Sequence, residues 1–377
     1  MQKIGVIPGD GIGPEVIIEA RKVLDAVTQK RNLTLEFEEF PLGAAHYLKT
    51  GEVLSDETIQ RLSKKDAILL GAMGDPRVKP GILEKGILLR LRFHFDQYVN
   101  LRPVKLLDGV PCPLAGKERR IDMQFVRENT EDFYVGLGGR VKTGLSRTEL
   151  DLRRRAYEVK FDIGIDLKDE AELAFQIGVI TKHGARRVIE FAFRLAEKKG
   201  IDLVTAVDKA NVLTDAYGLW REAVEEVAAK HGIAKEFQYV DAVALLLVRN
   251  PERFKLLVTP NLFGDILTDL GAALQGGLGF APSGNINPAG VSMFEPVHGS
   301  APDIAGKGIA NPVGAILSSA LMLETIGHPE AASDIEKAVG AVLKSGKHMT
   351  HDIGGKTTTS KIGDAIVSEL SGKRRAS

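Results

Sequence analysis

The sequence predicts an α/β protein built on a mostly parallel β-sheet with helices on both faces. Short apolar runs with strand character alternate along the chain with longer segments whose apolar residues recur at helical spacing. The run AILLGA at residues 67–72 is apolar throughout, which is typical of a strand covered on both faces. With 377 residues and 44% apolar content, the chain is long enough for two domains or one large two-lobed unit.

Composition excludes several functional classes. Lys plus Arg equals Asp plus Glu at 50 each, so no global field draws in nucleic acid or an anionic membrane. No apolar run approaches the ~18 residues of a membrane span, and no signal segment precedes the first strand, so a cytoplasmic protein is expected. Cys112 is the only cysteine, which rules out an intramolecular disulfide, and we interpret it as structural.

The first strand is predicted at residues 3–7, followed by the turn PGDGIGPEV and a helix through about residue 28. The glycines at positions 9, 11 and 13 suggest a dinucleotide-binding loop. Their spacing is GxGxG rather than GxGxxG, however, and Pro14 occupies the first helical position. A tight strand-to-helix turn explains these glycines at least as well.

The remaining strands and helices are predicted from the same two sequence patterns, namely short apolar or alternating runs for strands and apolar residues at helical spacing for helices. Further strands are predicted at 35–40, 67–72, 98–106, 121–134, 157–167, 202–207, 237–241 and 256–258. Helices are predicted at 56–64, 82–95, 183–199, 212–230, directly after residue 241, and at 262–274, 312–325, 331–343 and 361–370. Stretches rich in Gly and Pro at 277–287 and 294–312 are predicted as loops.

The stretch LFGDILTDLGAAL at residues 262–274 carries the strongest local signal for chemistry. A helix after Gly264 would hold Asp265 in its first turn and Asp269 in its second. Four residues advance a helix by ~400° and ~6 Å, so both carboxylates can face one hard cation such as Mg²⁺ or Mn²⁺. The alternative is that Asp265 caps the helix and Asp269 is a solvated surface residue.

Three arginines at the ends of elements could converge on carboxylates, because the guanidinium group matches a carboxylate bidentately. Arg92 shares a helical face with Leu88 and Leu89, which lie four and three residues before it. It either extends along the apolar surface to solvent or binds an anion beside an apolar pocket. Arg102 precedes Pro103, and Arg127 ends the strand IDMQFVRE.

Two further polar residues follow predicted strands, and one strand is unusual. Lys209 lies where α/β folds place ligand groups, and Asp241 is either a third metal ligand or a helix cap. Residues 157–167 alternate apolar and polar over an unusual length. Such a strand resembles a projecting β arm whose apolar face must be covered, and we therefore predict a homodimer.

Several motifs occur in the order found in one enzyme family: IGVIPGDGIGPEV, NLRPV, VRENTEDFY, DKANVL, NLFGDILTDL and EPVHGSAPDIAGKGIANP. The sequence resembles the β-decarboxylating dehydrogenases, which act on isocitrate, 3-isopropylmalate, homoisocitrate, tartrate or D-malate, over essentially the whole chain. The resemblance implies a two-lobed fold that differs from the classical Rossmann fold. Residues 1–100 and 260–377 would form the large cofactor-binding lobe, and residues 101–259 the small dimerisation lobe, with the β arm at about 135–168.

The resemblance also implies a role for each candidate residue. Arg92, Arg102 and Arg127 would hold the two malate carboxylates, with Leu88 and Leu89 beside the C3 substituent. Asp265 and Asp269, together with the partner subunit's Asp241 next to the substrate, would bind Mg²⁺ or Mn²⁺. Tyr134 and the partner subunit's Lys209 would transfer protons, so the dimer would be needed for chemistry.

The cofactor implied by the resemblance is NAD. The matching positions are His298, Gly299, Ser300, Ala301, Asp303, Ile304 and Asn311. The carboxylate of Asp303 can accept hydrogen bonds from a ribose diol but would repel a 2′-phosphate, and Ile304 offers no cation in its place. These two residues favour NAD over NADP.

The substrate prediction depends on the substituent at malate C3. The apolar face of Leu88 and Leu89 disfavours the third carboxylate of isocitrate. Leucines here resemble 3-isopropylmalate dehydrogenases, but VRENTE departs from their RELTGG pattern, and residues 97–116 look closer to D-malate and tartrate dehydrogenases. We therefore predict NAD-dependent oxidative decarboxylation of D-malate or tartrate to a 2-keto acid, with 3-isopropylmalate as the alternative and homoisocitrate or isocitrate last. A non-catalytic regulatory subunit would be expected to lose an aspartate, lysine or tyrosine of the site, and none is lost.

Overall fold

The computed structural model describes residues 1–114, 120–155 and 157–372. Contacts between residues divide the chain into two compact units. The first comprises Met1–Gln124, Leu247–Phe254 and Thr268–Ser377, and the second Phe125–Leu246 and Lys255–Leu267. The cofactor-binding and dimerisation roles of the two predicted lobes remain predictions.

Strands and helices alternate along most of the chain. The strands are β1 (Gln2–Gly9), β2 (Leu35–Glu39), β3 (Ala67–Ala72), β4 (Val99–Lys105), β5 (Asp122–Glu128), β6 (Gly138–Arg153), β7 (Glu158–Gln176), β8 (Leu203–Asp208), β9 (Ala234–Tyr239), β10 (Leu256–Thr259), β11 (Pro282–Ile286) and β12 (Ser292–Pro296). The helices are α1 (Gly13–Arg31), α2 (Ala44–Thr50), α3 (Asp56–Leu62), α4 (Arg90–His94), α5 (Lys182–Lys199), α6 (Thr214–Ala228), α7 (Val240–Arg249), α8 (Asn261–Leu274), α9 (Val313–Thr325), α10 (Pro329–Lys344) and α11 (Thr359–Leu370).

In the first unit the strand order is β2-β1-β3-β12-β11-β4. Strand β1 pairs in parallel with β2 and β3, and β3 pairs in parallel with β12. Strand β11 is antiparallel to both β12 and β4, which makes the sheet mixed. The central strand β3 is buried along its whole length, as its apolar sequence predicts, and a large core lies around Ile7, Phe40 and Ile87.

In the second unit β5, β10, β8 and β9 follow one another in the strand order, and β8 pairs in parallel with both β10 and β9. Helices α5 and α6 cover the strands with apolar faces that include Phe193, Tyr217 and Trp220. The predicted α/β class with mixed sheets is confirmed.

Strands β6 and β7 form a long antiparallel hairpin with an irregularity in register between Lys142 and Gly144. From residue 157, just before β7, to residue 168 the side chains alternate between half-buried and exposed, as the predicted amphipathic strand requires. Val135, Leu137 and Leu152 form a small buried cluster in this part of the unit. The first strand of this hairpin, β6, lies before residue 157 in the chain and was not predicted as a separate strand.

Two loop predictions are wrong, and one helix was missed. Strand β11 lies within the loop predicted at 277–287, and β12 ends inside the loop predicted at 294–312. Helix α2 was not predicted at all. The helix predicted at 82–95 is confirmed as a helical segment over residues 82–94, but its middle, Glu84–Leu89, is π-helical and is followed by the short α4. Among the described residues, no helix is both long enough and apolar enough to cross a membrane.

Candidate active site

Helix α8 carries the two aspartates of LFGDILTDLGAAL. Strand β10 leads into a helix that begins at Asn261, so Asp265 lies in the second turn and not in the first as predicted. Gly264 does not interrupt the helix. It allows close packing instead, because a Cβ at this position would lie 2.3 Å from Thr259 Oγ1 and 2.5 Å from Arg127 Cγ.

In the second unit, the Asp265 carboxylate joins two predicted site residues. Arg127 Nη1 donates to its Oδ1, and the Tyr134 hydroxyl donates to its Oδ2 at 2.6 Å. The Arg127 side chain is 2% exposed, and its guanidinium carbon lies 5.0 Å from the centre of the Tyr134 ring. Arg127, Tyr134 and Asp265 therefore form one hydrogen-bonded group.

Asn261 holds this group in place, although no sequence pattern pointed to it. Arg127 Nε donates to the Asn261 carbonyl at 2.8 Å, and Arg127 Nη2 donates to Asn261 Oδ1 at 2.7 Å. The Asn261 amide donates in turn to the carbonyl of Glu131 at 3.2 Å. An Asn at the start of a helix looks like an ordinary capping residue, so sequence alone gives no reason to pair it with a distant arginine.

In the first unit, Arg102 contacts the other aspartate of α8. Its Nη1 donates to Thr268 Oγ1 at 2.6 Å and lies 3.5 Å from Asp269 Oδ1. The Asp269 side chain is 61% exposed, whereas that of Arg102 is 12% exposed. Arg102 is therefore well held, while Asp269 presents its carboxylate to solvent.

The residues predicted beside the substrate's C3 group also lie in the first unit. Leu88 and Leu89 end the π-helical turn, and the 4%-exposed Arg92 follows in α4. Both leucines are half-buried, and Leu88 packs against the large core cluster. A π-helix bonds residue i to i+5, so the α-helical spacing assumed for the first part of this segment does not hold.

The predicted base Lys209 and the predicted metal ligand Asp241 form an ion pair within this chain. Lys209 Nζ donates to Asp241 Oδ1 at 2.6 Å and lies 5.8 Å from the centre of the Tyr239 ring. This hydrogen bond lowers the pKa of the Asp241 carboxyl below its usual range. The ends of β8 and β9, which are neighbouring parallel strands, bring the two residues together.

The predicted cofactor loop at residues 298–304 contacts the glycine-rich turn after β1. The Ile12 amide donates to the Ser300 carbonyl at 2.9 Å. Gly11 has a φ of 58°, and a Cβ there would lie 2.0 Å from that carbonyl oxygen. The glycines of GDGIG thus permit a tight turn and close approach of the loop, and they do not form a dinucleotide fingerprint.

The other predicted cofactor residues occupy the same unit. His298 Nδ1 lies 3.0 Å from the Gly299 carbonyl, and Ala301 adopts a φ of 39° at the start of a turn that includes Asp303 and Ile304. Asp303 is exposed. The Asn311 amide donates to Asp352 Oδ2 at 3.0 Å. Asp352 is a polar neighbour that the sequence did not indicate.

Helix α8 carries two carboxylates of the kind that bind hard divalent cations, and the predicted role of each as a metal ligand stays a prediction. Asp265 and Asp269 offer carboxylate oxygens, and their side chains are 35% and 61% exposed. Within residues 1–114, 120–155 and 157–372, no three His, Cys, Asp or Glu side chains gather in an arrangement that could hold a metal.

Comparisons with known sequences and structures all identify the same protein family. The chain matches the isocitrate/isopropylmalate dehydrogenase family over residues 3–366. It is 48% identical to the 3-isopropylmalate dehydrogenase of Thermobifida fusca (strain YX), covering 98% of this chain and 97% of that one. It is 45% identical to that of Clavibacter michiganensis subsp. michiganensis (strain NCPPB 382), covering 98% of each chain. A crystal structure of isocitrate dehydrogenase from Methylococcus capsulatus matches with a TM-score of 0.84 at 35% identity, covering 98% of this chain and all of that one.

The substrate prediction of D-malate or tartrate is wrong. Curated relatives at 45–48% identity carry the name 3-isopropylmalate dehydrogenase. The stretch 97–116, whose last two residues lie outside the described part of the chain, was therefore a poor guide to the substrate.

The order of the motifs, the mixed α/β fold and the match over residues 3–366 agree with one another. The chain belongs to the isocitrate/isopropylmalate dehydrogenase family of decarboxylating dehydrogenases, oxidoreductases that act on small molecules.

Proposed function

We propose that this protein is a 3-isopropylmalate dehydrogenase. It would oxidise the C2 hydroxyl of 3-isopropylmalate with NAD and release the C3 carboxylate as CO₂, which leaves a 2-keto acid. The proposal is carried by the 48% identity, over nearly the full length of both chains, to a relative of that name. The apolar side chains of Leu88 and Leu89 support it, since a third substrate carboxylate beside them would be costly to desolvate.

Three arginines would bind the two substrate carboxylates. Arg92 and Arg127 are nearly buried, and Arg127 is oriented by Asn261. Arg102 is oriented by Thr268. A guanidinium group that is already oriented loses less conformational freedom when it binds a carboxylate, which favours tight and specific binding.

Two side chains would move protons. Lys209 Nζ would take the proton of the C2 hydroxyl, and NAD, when bound, would supply the acceptor for the C2 hydride. After CO₂ has left, the Tyr134 hydroxyl would deliver a proton to C3. Each active site would take its Lys209 from the second subunit of a homodimer, in which the β6–β7 hairpin would bury its apolar face against the other copy.

Asp265 and Asp269, with the partner subunit's Asp241, would hold Mg²⁺ or Mn²⁺. When bound, the cation would supply a Lewis acid that favours loss of the hydroxyl proton and stabilises the negative charge left by decarboxylation. The loop at residues 298–304 and Asn311 would hold NAD. Asp303 would accept hydrogen bonds from the adenosine ribose and exclude NADP by repelling its 2′-phosphate.

The test is NAD reduction by the pure protein with Mn²⁺, with 3-isopropylmalate, isocitrate, homoisocitrate, D-malate and tartrate assayed separately. We expect the kcat/KM for 3-isopropylmalate to exceed each of the others by at least ~10-fold. A higher kcat/KM for isocitrate would overturn the proposal in favour of the activity named for the Methylococcus capsulatus structure. Absence of turnover with every substrate, despite binding of Mn²⁺, would indicate a non-catalytic member.

A further inference from the structure

Asp132 has a backbone conformation that few residues other than glycine adopt. It lies between β5 and the 3₁₀ turn Phe133–Val135, with a φ of 61° and a ψ of −147°. Its side chain is almost fully buried. A non-glycine residue in this region persists only where surrounding contacts hold it, and such residues cluster at functional sites.

The contacts that hold Asp132 come from two directions. Its amide donates to the Val179 carbonyl at 2.7 Å, and the Val179 amide donates back to the Asp132 carbonyl at 3.3 Å. Its Oδ2 accepts a hydrogen bond of 2.8 Å from the Leu262 amide in the first turn of α8. The main chain and the side chain of Asp132 are therefore fixed to different parts of the second unit.

The segment that contains Asp132 contacts α8 a second time, two residues later. Tyr134 donates to Asp265, which lies three residues beyond Leu262 in the helix. Two hydrogen bonds, Leu262 to Asp132 and Tyr134 to Asp265, thus connect the same two segments one helical turn apart. Removal of the first would leave this segment joined to α8 by the Tyr134 hydrogen bond and by the bond from the Asn261 amide to the Glu131 carbonyl.

We propose that Asp132 is a positioning residue that sets the geometry of the Tyr134–Asp265 pair. Its carboxylate anchors the start of α8, and its unusual main-chain conformation turns the chain so that the Tyr134 hydroxyl reaches Asp265. This inference rests on the proposed function in one respect, namely that Tyr134 and Asp265 belong to the active site. In this proposal Asp132 acts through Tyr134 and Asp265 and would itself contact neither substrate nor metal.

The adjacent Glu131 provides a matched control. It is equally buried, and its carboxylate accepts hydrogen bonds from the Thr181 amide at 2.8 Å, the Thr181 hydroxyl at 2.6 Å and the Tyr157 hydroxyl at 2.7 Å. It therefore anchors the start of α5 rather than α8. Comparing variants of Glu131 and Asp132 therefore separates the effect of losing any buried carboxylate from the effect of losing the contact with α8.

The experiment compares Asp132→Gly, Asp132→Asn and Glu131→Gln in the full-length protein. Gly keeps the main-chain conformation without strain but removes the carboxylate, whereas Asn keeps an acceptor oxygen. Mn²⁺ affinity is measured by electron paramagnetic resonance without substrate, and kcat and KM are measured with 3-isopropylmalate. We expect Asp132→Gly to weaken Mn²⁺ binding at least ~5-fold and to lower kcat at least ~10-fold. Asp132→Asn should stay within ~3-fold of wild type in both, and Glu131→Gln should lower the melting temperature without changing Mn²⁺ affinity.

Wild-type Mn²⁺ affinity and kcat in Asp132→Gly would overturn the inference, as would equal losses in Asp132→Gly and Glu131→Gln. If Asp132→Gly does not fold, Asp132→Ser is judged on the same measurements, because its hydroxyl is too short to reach Leu262. Failure of the proposed function is distinguishable: wild-type protein would then not turn over 3-isopropylmalate, while the difference in Mn²⁺ affinity between wild type and Asp132→Gly would still test Asp132.

Discussion

Tyr134 and Asp265, which lie 131 residues apart in sequence, are joined by a hydrogen bond of 2.6 Å from the tyrosine hydroxyl to Oδ2 of the aspartate. The contact links a predicted proton donor to a predicted metal ligand. Because the carboxylate fixes the direction of the hydroxyl, substitutions at either residue should affect chemistry more than folding.

Replacing Tyr134 with Phe should lower kcat by roughly 100-fold or more, the usual contribution of a general acid, with a smaller change in KM. The measurement is steady-state NAD reduction with saturating Mn²⁺. Tyr157→Phe is the matched control, since the Tyr157 hydroxyl donates to buried Glu131 and not to Asp265. It should lose stability but retain kcat. Wild-type kcat in Tyr134→Phe would remove the tyrosine from the mechanism.

Replacing Asn261 with Ala should raise KM for 3-isopropylmalate and lower the free energy of unfolding by about 1–3 kcal/mol. The reason is that buried Arg127 would lose the side-chain acceptor that orients it. Urea unfolding and steady-state kinetics measure the two effects. Asn285→Ala in the first unit, where the Asn285 amide donates to Glu295 at 2.8 Å, should lower stability alone. An unchanged KM in Asn261→Ala would show that Arg127 needs no such support.

Replacing Gly11 with Ala should weaken NAD binding, because the new Cβ would collide with the Ser300 carbonyl and displace the loop at residues 298–304. Gly51→Ala is the control: Gly51 has a similar φ of 74° but open space around its Cβ position. Both variants should lose about 1–2 kcal/mol of stability from the left-handed conformation. Only Gly11→Ala should raise KM for NAD, and an equal KM in both would disprove the role assigned to the close approach.

Replacing Leu89 with Ala should lower kcat/KM for 3-isopropylmalate about 10-fold or more, in line with the ~1–3 kcal/mol available from apolar discrimination. Activity with D-malate, which lacks the isopropyl group, serves as the internal control and should change less than ~3-fold. Leu88→Ala should in addition lower the melting temperature, because Leu88 packs against the core cluster. An equal loss of kcat/KM with both substrates would show that Leu89 does not contact the isopropyl group.

Replacing Asp132 with Asn should change the pH dependence of stability. Burial raises the pKa of the Asp132 carboxyl to about 6, with a further contribution from nearby Glu128, whereas the Leu262 amide and Arg127 act in the opposite direction. The folded protein therefore binds a proton more tightly than the unfolded chain, and ionisation costs stability as pH rises from about 4 through 6. Urea unfolding should show the variant more stable than wild type by on the order of 2–3 kcal/mol at pH 8, and nearly equal to it at pH 4. A difference that does not depend on pH would contradict this.

The local sequence pattern correctly predicted the strands in which burial follows that pattern residue by residue. The apolar run of β3 is buried throughout, and the alternation in β7 matches its alternating exposure. The sequence pattern did not predict strand β11, because its sequence PSGNI contains Pro, Gly and Asn, which are poor strand formers. The strand forms nevertheless, since buried polar groups pair across the sheet: the Asn100 amide donates to Ser283 Oγ at 2.8 Å, and the Asn285 amide donates to Glu295.

The amino-acid sequence alone determined the family motifs, the α/β class and the spacing of Asp265 and Asp269, because these depend on residue type and on distances of a few residues along the chain. Only the tertiary structure decided that Asn261 orients Arg127 and that Asp132 anchors α8, through contacts between residues 134 and 130 positions apart. Local propensity carries no information about such contacts. They follow from the need of buried polar groups for hydrogen-bond partners, wherever in the chain those partners lie.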